Sequence, residues 1–199
     1  MGLHIKKKLS ESFLGELTEK ILRKSDATIF VYKPIQPIAT IIRHFVLIPE
    51  NAEQEAGFPF WLLKVWNIAR HTGAEILFYA TEKTLEIIKD IHKSHPIDAK
   101  FNIFNDWDDF LILSRHIKND DNLIVILSRE NHPSHHKNMK NVSKYLNEYF
   151  QTNSFILVFP VQFKVTDSHK INLNYPSMLE PIEKLDELGK TIAGLFKRR

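Results

Sequence analysis

The sequence has no cysteine, little glycine and no long apolar run, and each shortage excludes a class of protein. Without cysteine among its 199 residues, the chain cannot form a disulfide framework, a thiolate nucleophile or a zinc–thiolate site. Its longest apolar runs, such as Phe155 to Phe159, have the length of a strand, well short of the ~20 residues that span a bilayer. The basic N-terminal start lacks the apolar segment of a secretory signal.

The net charge is also small, at a formal +3 with the ten histidines taken as neutral. So small a charge does not favour nucleic acid as a partner. Apolar residues make up 43% of the chain and charged residues 26%, the composition of an ordinary globular domain. The length allows one α/β domain of about 150 residues with extensions.

Short apolar segments alternate with amphipathic ones from about residue 45 to residue 160. Strands are predicted at residues 45–48, 74–79, 99–104, 123–127 and 155–159, with a helix between each pair. The strands are apolar on both faces, so helices must cover both sides of a parallel sheet. With right-handed crossovers, this predicts an α/β fold with a doubly wound five-stranded parallel sheet.

Two extensions flank this core. Residues 1–37 hold a predicted helix, a strand at residues 28–32 and a linker stiffened by two prolines. Residues 161–199 are predicted to form a β-hairpin followed by one amphipathic helix, whose apolar face runs from Leu179 to Leu195. The predicted domain organisation is therefore 1–37, 38–160 and 161–199.

Five strands alternating with four helices resemble the universal stress protein domain. The pieces Phe13 to Leu22 and Thr28 to Tyr32 look like the last helix and strand of such a domain, and residues 139–159 look like the same unit. The resemblance implies that residues 1–37 are the remnant of a preceding similar domain. It also implies pairing through the last strand, which either takes strand 28–32 of the same chain or forms a homodimer.

A narrower resemblance lies in three stretches of the chain. Residues 29–37, 57–59 and 70–74 are similar to the cytosolic C-terminal region of some bacterial monovalent cation:proton antiporters, through a Tyr-Lys-Pro-x-Gln-Pro linker and a Gly-Phe-Pro helix start. This implies a membrane antiporter domain in cis. The expected location is cytoplasmic, at the inner face of the membrane through covalent attachment to a sodium or potassium transporter.

The phosphate loop of ATP-binding universal stress proteins has no counterpart here. That loop follows the fourth strand and uses glycines so that backbone N–H groups approach phosphate. The corresponding residues 128–137 contain no glycine, and Pro133 removes a backbone donor. Arg129, His135 and Lys137 remain as weak candidates for an anion site, so a small anionic or nucleotide ligand stays open, with no cofactor predicted.

Other clusters that suggest chemistry have simpler interpretations. His132, His135 and His136 could bind a divalent metal, but adjacent histidines diverge, so a solvated loop and no metal site are predicted. Asp106, with two further aspartates, is predicted to cap a helix whose inner face is Phe110, Leu111, Ser114 and Ile117. Glu50, Glu53 and Glu55 are predicted to lie on an exposed loop.

No acid/base pair or nucleophile motif stands out, so no catalytic residue and no enzyme activity are predicted. The expected function is a non-catalytic regulatory or interaction domain of a cation:proton antiporter. The alternative is a stand-alone, adenine-nucleotide-binding protein of the universal stress type. A third hypothesis, a metal-responsive domain, depends on the histidine loop.

Overall fold

In the computed structural model, which describes residue 25, residues 27–161 and residues 176–197, one six-stranded sheet organises the chain. The strands are β1 (Ile29–Lys33), β2 (Arg43–Leu47), β3 (Glu75–Ala80), β4 (Ala99–Ile103), β5 (Asp121–Ile126) and β6 (Ser154–Phe159). The helices are α1 (Phe58–Thr72), α2 (Glu82–Ser94), α3 (Val142–Tyr149), α4 (Pro176–Glu183) and α5 (Glu187–Lys197). The predicted N-terminal helix and C-terminal hairpin lie outside the described residues.

The strand order is β1-β6-β5-β2-β3-β4. Strands β2 to β6 pair in parallel, and the order changes direction between β2 and β5. The predicted alternation and doubly wound parallel core are confirmed. The count of five strands is wrong, because β1 adds a sixth.

Strand β1 pairs antiparallel with β6 within the chain, with Val31 opposite Leu157. Strand β6 is buried over five of its six residues, so an open edge there would expose an apolar strand to pairing with other chains. The chain supplies the covering strand itself. The intramolecular alternative for the last strand is the one observed.

Helices cover both faces of the sheet. On one face α1, α2, α4 and α5 pack over residues such as Val46, Phe78 and Ile124. On the other, α3 and a 3₁₀ segment (Trp107–Arg115) pack over residues such as Phe45, Leu123 and Leu157. Alternate residues of the inner strands β2, β3, β5 and β6 therefore enter opposite cores, as the apolar pattern predicts.

The segment after Asp106 differs from its prediction. It forms a 3₁₀ helix over Trp107–Arg115 and buries Trp107, Phe110 and Leu113. These three residues recur every third position, which matches three residues per turn and places them on one side. The α-helical spacing was therefore wrong, although Phe110 of the predicted inner face is buried and Leu111, Ser114 and Ile117 are partly buried. Asp106 does cap the segment, by accepting from the backbone N–H of Asp108 at 2.8 Å.

The prediction of a single C-terminal helix is also wrong, because this segment forms two helices, α4 and α5. Asp186 ends the link between α4 and α5 and accepts the backbone N–H of Gly189 at 2.8 Å, which caps α5. A side chain at Gly189 would collide with the carbonyl oxygen of Ile182, so the two helices meet closely. Leu185 lies in the link and is 60% exposed instead of facing the core.

Candidate functional site

The carboxyl ends of the parallel strands form the edge where doubly wound sheets bind ligands. The change in strand order places the segment after β2 beside the loop after β5. The segment is residues 51–57, which we call the clasp, and the loop is residues 128–136, which we call the β5 loop. Ser128 and Ser134 of the β5 loop are buried.

The clasp contains two buried carboxylates. It starts at Asn51, whose φ of 60° lies in the left-handed region, and continues through a 3₁₀ turn (Ala52–Gln54). Glu53 and Glu55 are each only 4% exposed. The prediction of an exposed loop was wrong for these two, since a buried carboxylate persists only where partners offset its desolvation.

Three donors of the β5 loop converge on one oxygen of Glu55. The Ser128 hydroxyl donates to Glu55 Oε1 at 2.7 Å, and the Ser134 backbone N–H donates to the same oxygen at 3.3 Å. The Ser134 hydroxyl makes a third, short hydrogen bond to it. Hydrogen bonds to an ionised acceptor are the strong ones, so this carboxylate holds the β5 loop to the clasp.

Glu53 is held on the opposite side, by helix α2. The Lys83 ammonium lies 2.8 Å from Oε1 and the Thr84 hydroxyl donates to Oε2 at 2.9 Å. Burial alone would raise the pKa of Glu53, but Lys83, the backbone and Thr84 outweigh it and hold that pKa below its ordinary value. The clasp thus joins α2 to the β5 loop across the edge of the sheet.

The sequence-predicted anion residues lie around the β5 loop without forming its core. Arg129 is half-buried, and its Nη2 donates to the backbone carbonyl of Ser25 at 2.8 Å. His135 is exposed, and Lys137 is exposed at the start of a 3₁₀ segment (Lys137–Asn141). The buried donors are instead Ser128 and Ser134.

Sequence reasoning missed Glu55 and its serines because a Glu between loops is normally exposed. One local signal was available, since the acidic residues are interleaved with Ala52, Ala56 and Phe58, all of which are buried. Apolar residues on both sides of a charged residue indicate that the segment packs against the rest of the protein. The partners of that charge are 70 or more residues away along the chain and left no sequence signal.

A second feature of this edge is an open cleft of about 460 Å³ at the ends of β2, β3 and β4. It is lined by Glu50, Thr81, Glu82, Lys83, Glu86 and Asn105. Three carboxylates face one ammonium there, and that ammonium already pairs with Glu53. The negative balance disfavours a polyphosphate in this cleft.

The amino ends of β2 and β5 are also closed by polar side chains. Asp121 accepts from Arg43 through Nε at 2.8 Å and Nη2 at 2.5 Å, and from the Lys118 backbone N–H at 2.7 Å. His44 is fully buried, with Nδ1 3.2 Å from Asn122 Nδ2 and Nε2 3.2 Å from the Thr72 hydroxyl. Burial lowers the pKa of His44 to about 4, so it is neutral.

The histidines of the β5 loop do not form a metal centre in the structure. Within the described ranges, no three His, Cys, Asp or Glu side chains are grouped so that they could hold a metal ion. Nδ1 of His136 instead accepts the backbone N–H of Asn138 at 3.3 Å and caps the segment that follows. None of the helices in the described part of the chain is long and apolar enough to cross a membrane.

Compared with models of known protein families and with curated proteins, the sequence matches none of them.

Proposed function

We propose that this chain is a non-catalytic regulatory or interaction domain whose ligand edge is kept closed by its own Glu55. The observation that supports this is the convergence of three donors on Glu55 Oε1 at the change in strand order. Donors that would meet a bound anion are used within the chain. A nucleotide would have to displace a buried carboxylate before it met them.

The finer proposal is a universal stress protein-like domain attached in cis to a sodium or potassium:proton antiporter, on the cytoplasmic side. It is supported by the sequence resemblance of residues 29–37 and 57–59. The pairing of β1 with β6 fits a strand left from a preceding domain of the same type. A homodimer is also proposed, formed through a surface other than the edge of β6 that β1 occupies.

Nucleotide titration tests the closed edge. Calorimetry of the full chain with ATP, ADP, AMP and cyclic dinucleotides should give no saturable heat up to about 1 mM, since release of Glu55 opposes binding. Glu82→Gln serves as the control that makes the open cleft less acidic without touching the clasp. Saturable micromolar ATP binding that is lost in Arg129→Ala would instead support the stand-alone nucleotide-binding alternative.

Transport assays test the attachment. In inverted membrane vesicles, an antiporter that carries this domain should keep cation:proton exchange when the domain is deleted but change its dependence on pH or cation concentration. A domain whose deletion leaves both dependences unchanged would have no regulatory role there. Loss of all exchange, with the transporter still inserted in the membrane, would place the domain in transport itself.

A further inference from the structure

The β5 loop has the donor arrangement of an oxyanion site. Two hydroxyls and one backbone N–H, from Ser128 and Ser134, point at a single carboxylate oxygen. Ser134 is 4% exposed and Ser128 9% exposed, so these donors lie away from bulk water. Donors fixed around one anionic oxygen in a buried place bind that oxygen strongly, whichever molecule carries it.

The occupant of this site reaches it from a separate segment. Glu55 belongs to the clasp, and the donors belong to a loop more than 70 residues later. Glu55 ends the 3₁₀ turn of the clasp, with its backbone N–H bonded to the Ala52 carbonyl, and its side chain reaches across to the β5 loop. The Glu55 side chain therefore acts as a tethered ligand, whose local concentration is in the millimolar range or above.

We infer that Ser128 and Ser134 form a binding site for a small oxyanion, a carboxylate or a phosphate, which Glu55 occupies in the resting chain. An oxyanion from outside binds when Glu55 is removed or drawn away. The inference rests on the proposed function, since it names the ligand class of the same closed edge. Arg129 follows Ser128 in sequence, and its Nη2 donates to the backbone carbonyl of Ser25.

Displacement of Glu55 has a direct structural consequence. The clasp ends at Gly57, where a side chain would lie only 2.6 Å from Pro160 Cβ, so the clasp packs closely on the residue that follows β6. Its other carboxylate, Glu53, holds the start of α2 through Lys83 and Thr84. Oxyanion binding would loosen both contacts and so change the surface at the carboxyl edge.

Anion rescue of Glu55→Ala tests the site. The variant lacks the tethered ligand, so formate, acetate or inorganic phosphate should raise its melting temperature saturably, by about 3 °C or more above chloride of equal ionic strength. Formate and acetate against phosphate distinguish a carboxylate ligand from a phosphate ligand. The wild-type chain should show no such rise, since its own carboxylate fills the site.

Two variants make the result specific. Glu53→Ala removes the other buried carboxylate of the clasp and should gain nothing from the anions beyond the effect of chloride. Glu55→Ala combined with Ser128→Ala and Ser134→Ala should lose the rescue, because both hydroxyl donors are then gone and only the backbone N–H of residue 134 remains. Equal responses of Glu53→Ala and Glu55→Ala would overturn the inference.

Refolding covers the case in which Glu55→Ala does not fold in chloride. Folded protein should then be recovered from urea in formate or phosphate but not in chloride. Failure of every oxyanion to recover or stabilise the variant refutes the site. That result is distinguishable from failure of the proposed function, which would show as nucleotide binding by the wild-type chain.

Discussion

The two ends of strands β2 and β5 are closed by buried polar groups in different ways. At the amino end, Arg43 pairs with Asp121 and His44 with Asn122, and both pairs are direct neighbours in the β2–β5 register. At the carboxyl end, Glu55 comes from the clasp and its donors from the β5 loop. Pairing of the strands therefore forms the first closure automatically, whereas the second depends on two loops meeting.

The two closures should therefore open in different events, the one at the amino end during global unfolding and the one at the carboxyl end by local opening. A closure made by strand register opens only when the sheet does, so the amino end belongs to the global unfolding of the domain. A closure made by loops opens locally, without loss of the sheet. We therefore expect the carboxyl end to be the place where a ligand or partner acts on the folded protein.

The largest effect is expected at the amino end. Asp121→Ala should lower the free energy of unfolding by about 3–5 kcal/mol, because it leaves Arg43 and the Lys118 N–H without a buried acceptor. Urea denaturation measures this. Lys93→Ala, which breaks an exposed pair with Asp90, is the control and should leave the midpoint of urea unfolding almost unchanged. Similar losses in both variants would show that the amino end is not the more firmly held one.

Acid should weaken the amino end through His44. The pKa of His44 is about 4 in the folded chain, below its unfolded value, so the unfolded state binds the proton first. Its contribution is complete above about pH 6.5 and should be lost as the pH falls to about 4, for a total of about 3 kcal/mol. An NMR titration of the His44 ring gives the pKa directly, and a value near 6.5 would contradict burial as its cause.

Glu55→Gln should cost less, about 1–3 kcal/mol, because the amide still fills the space but accepts hydrogen bonds less strongly than a carboxylate. Hydrogen exchange should speed up at the Ser134 amide and leave the β5 amides unchanged. Equal acceleration in β5 would mean that the carboxyl end opens only with the whole sheet, and the comparison between the two ends would fail.

Effects no larger than that of Glu55→Gln are expected from two glycines. Gly73 ends α1 near the amino edge with φ at 69°, and nothing lies within 4 Å of where a side chain would begin. Gly73→Ala should therefore cost about 1 kcal/mol from backbone strain alone. Gly57→Ala, with an ordinary φ of −74°, should cost about 1–3 kcal/mol from collision with Pro160. Thermal unfolding ranks the two, and a harmless Gly57→Ala would show that the clasp is loosely packed.

The strands and most helices could be predicted from the sequence because their signals are local. Short apolar runs separated by amphipathic segments predicted β2 to β6, and Pro59 and Gly73 predicted the limits of α1. Trp107, Phe110 and Leu113 recur every third residue, which distinguishes a 3₁₀ segment only after the burial of each is known. The break between α4 and α5 was not predicted, because the apolar Leu185 fits the face of one continuous helix, whereas in the structure it is exposed.

Only the location of the candidate site, and not its residues, could be predicted from the sequence. The strand order places a ligand edge after β2 and β5, and the absence of glycine from the β5 loop was visible in the sequence. The burial of Glu55 was not, because its three donors come from the β5 loop, distant in sequence. Contacts between loops are set by the packed sheet and carry no periodic pattern of their own.

The pairing of β1 with β6 has a consequence for synthesis on the ribosome. Strand β1 is made first, yet its partner is made about 120 residues later. At ordinary elongation rates of about 5–20 residues per second, the apolar strand Ile29–Lys33 waits about 6–25 s before β6 exists. During that time it is a target for chaperones and for β1 strands of neighbouring nascent chains, so translation speed becomes a determinant of the yield of folded protein.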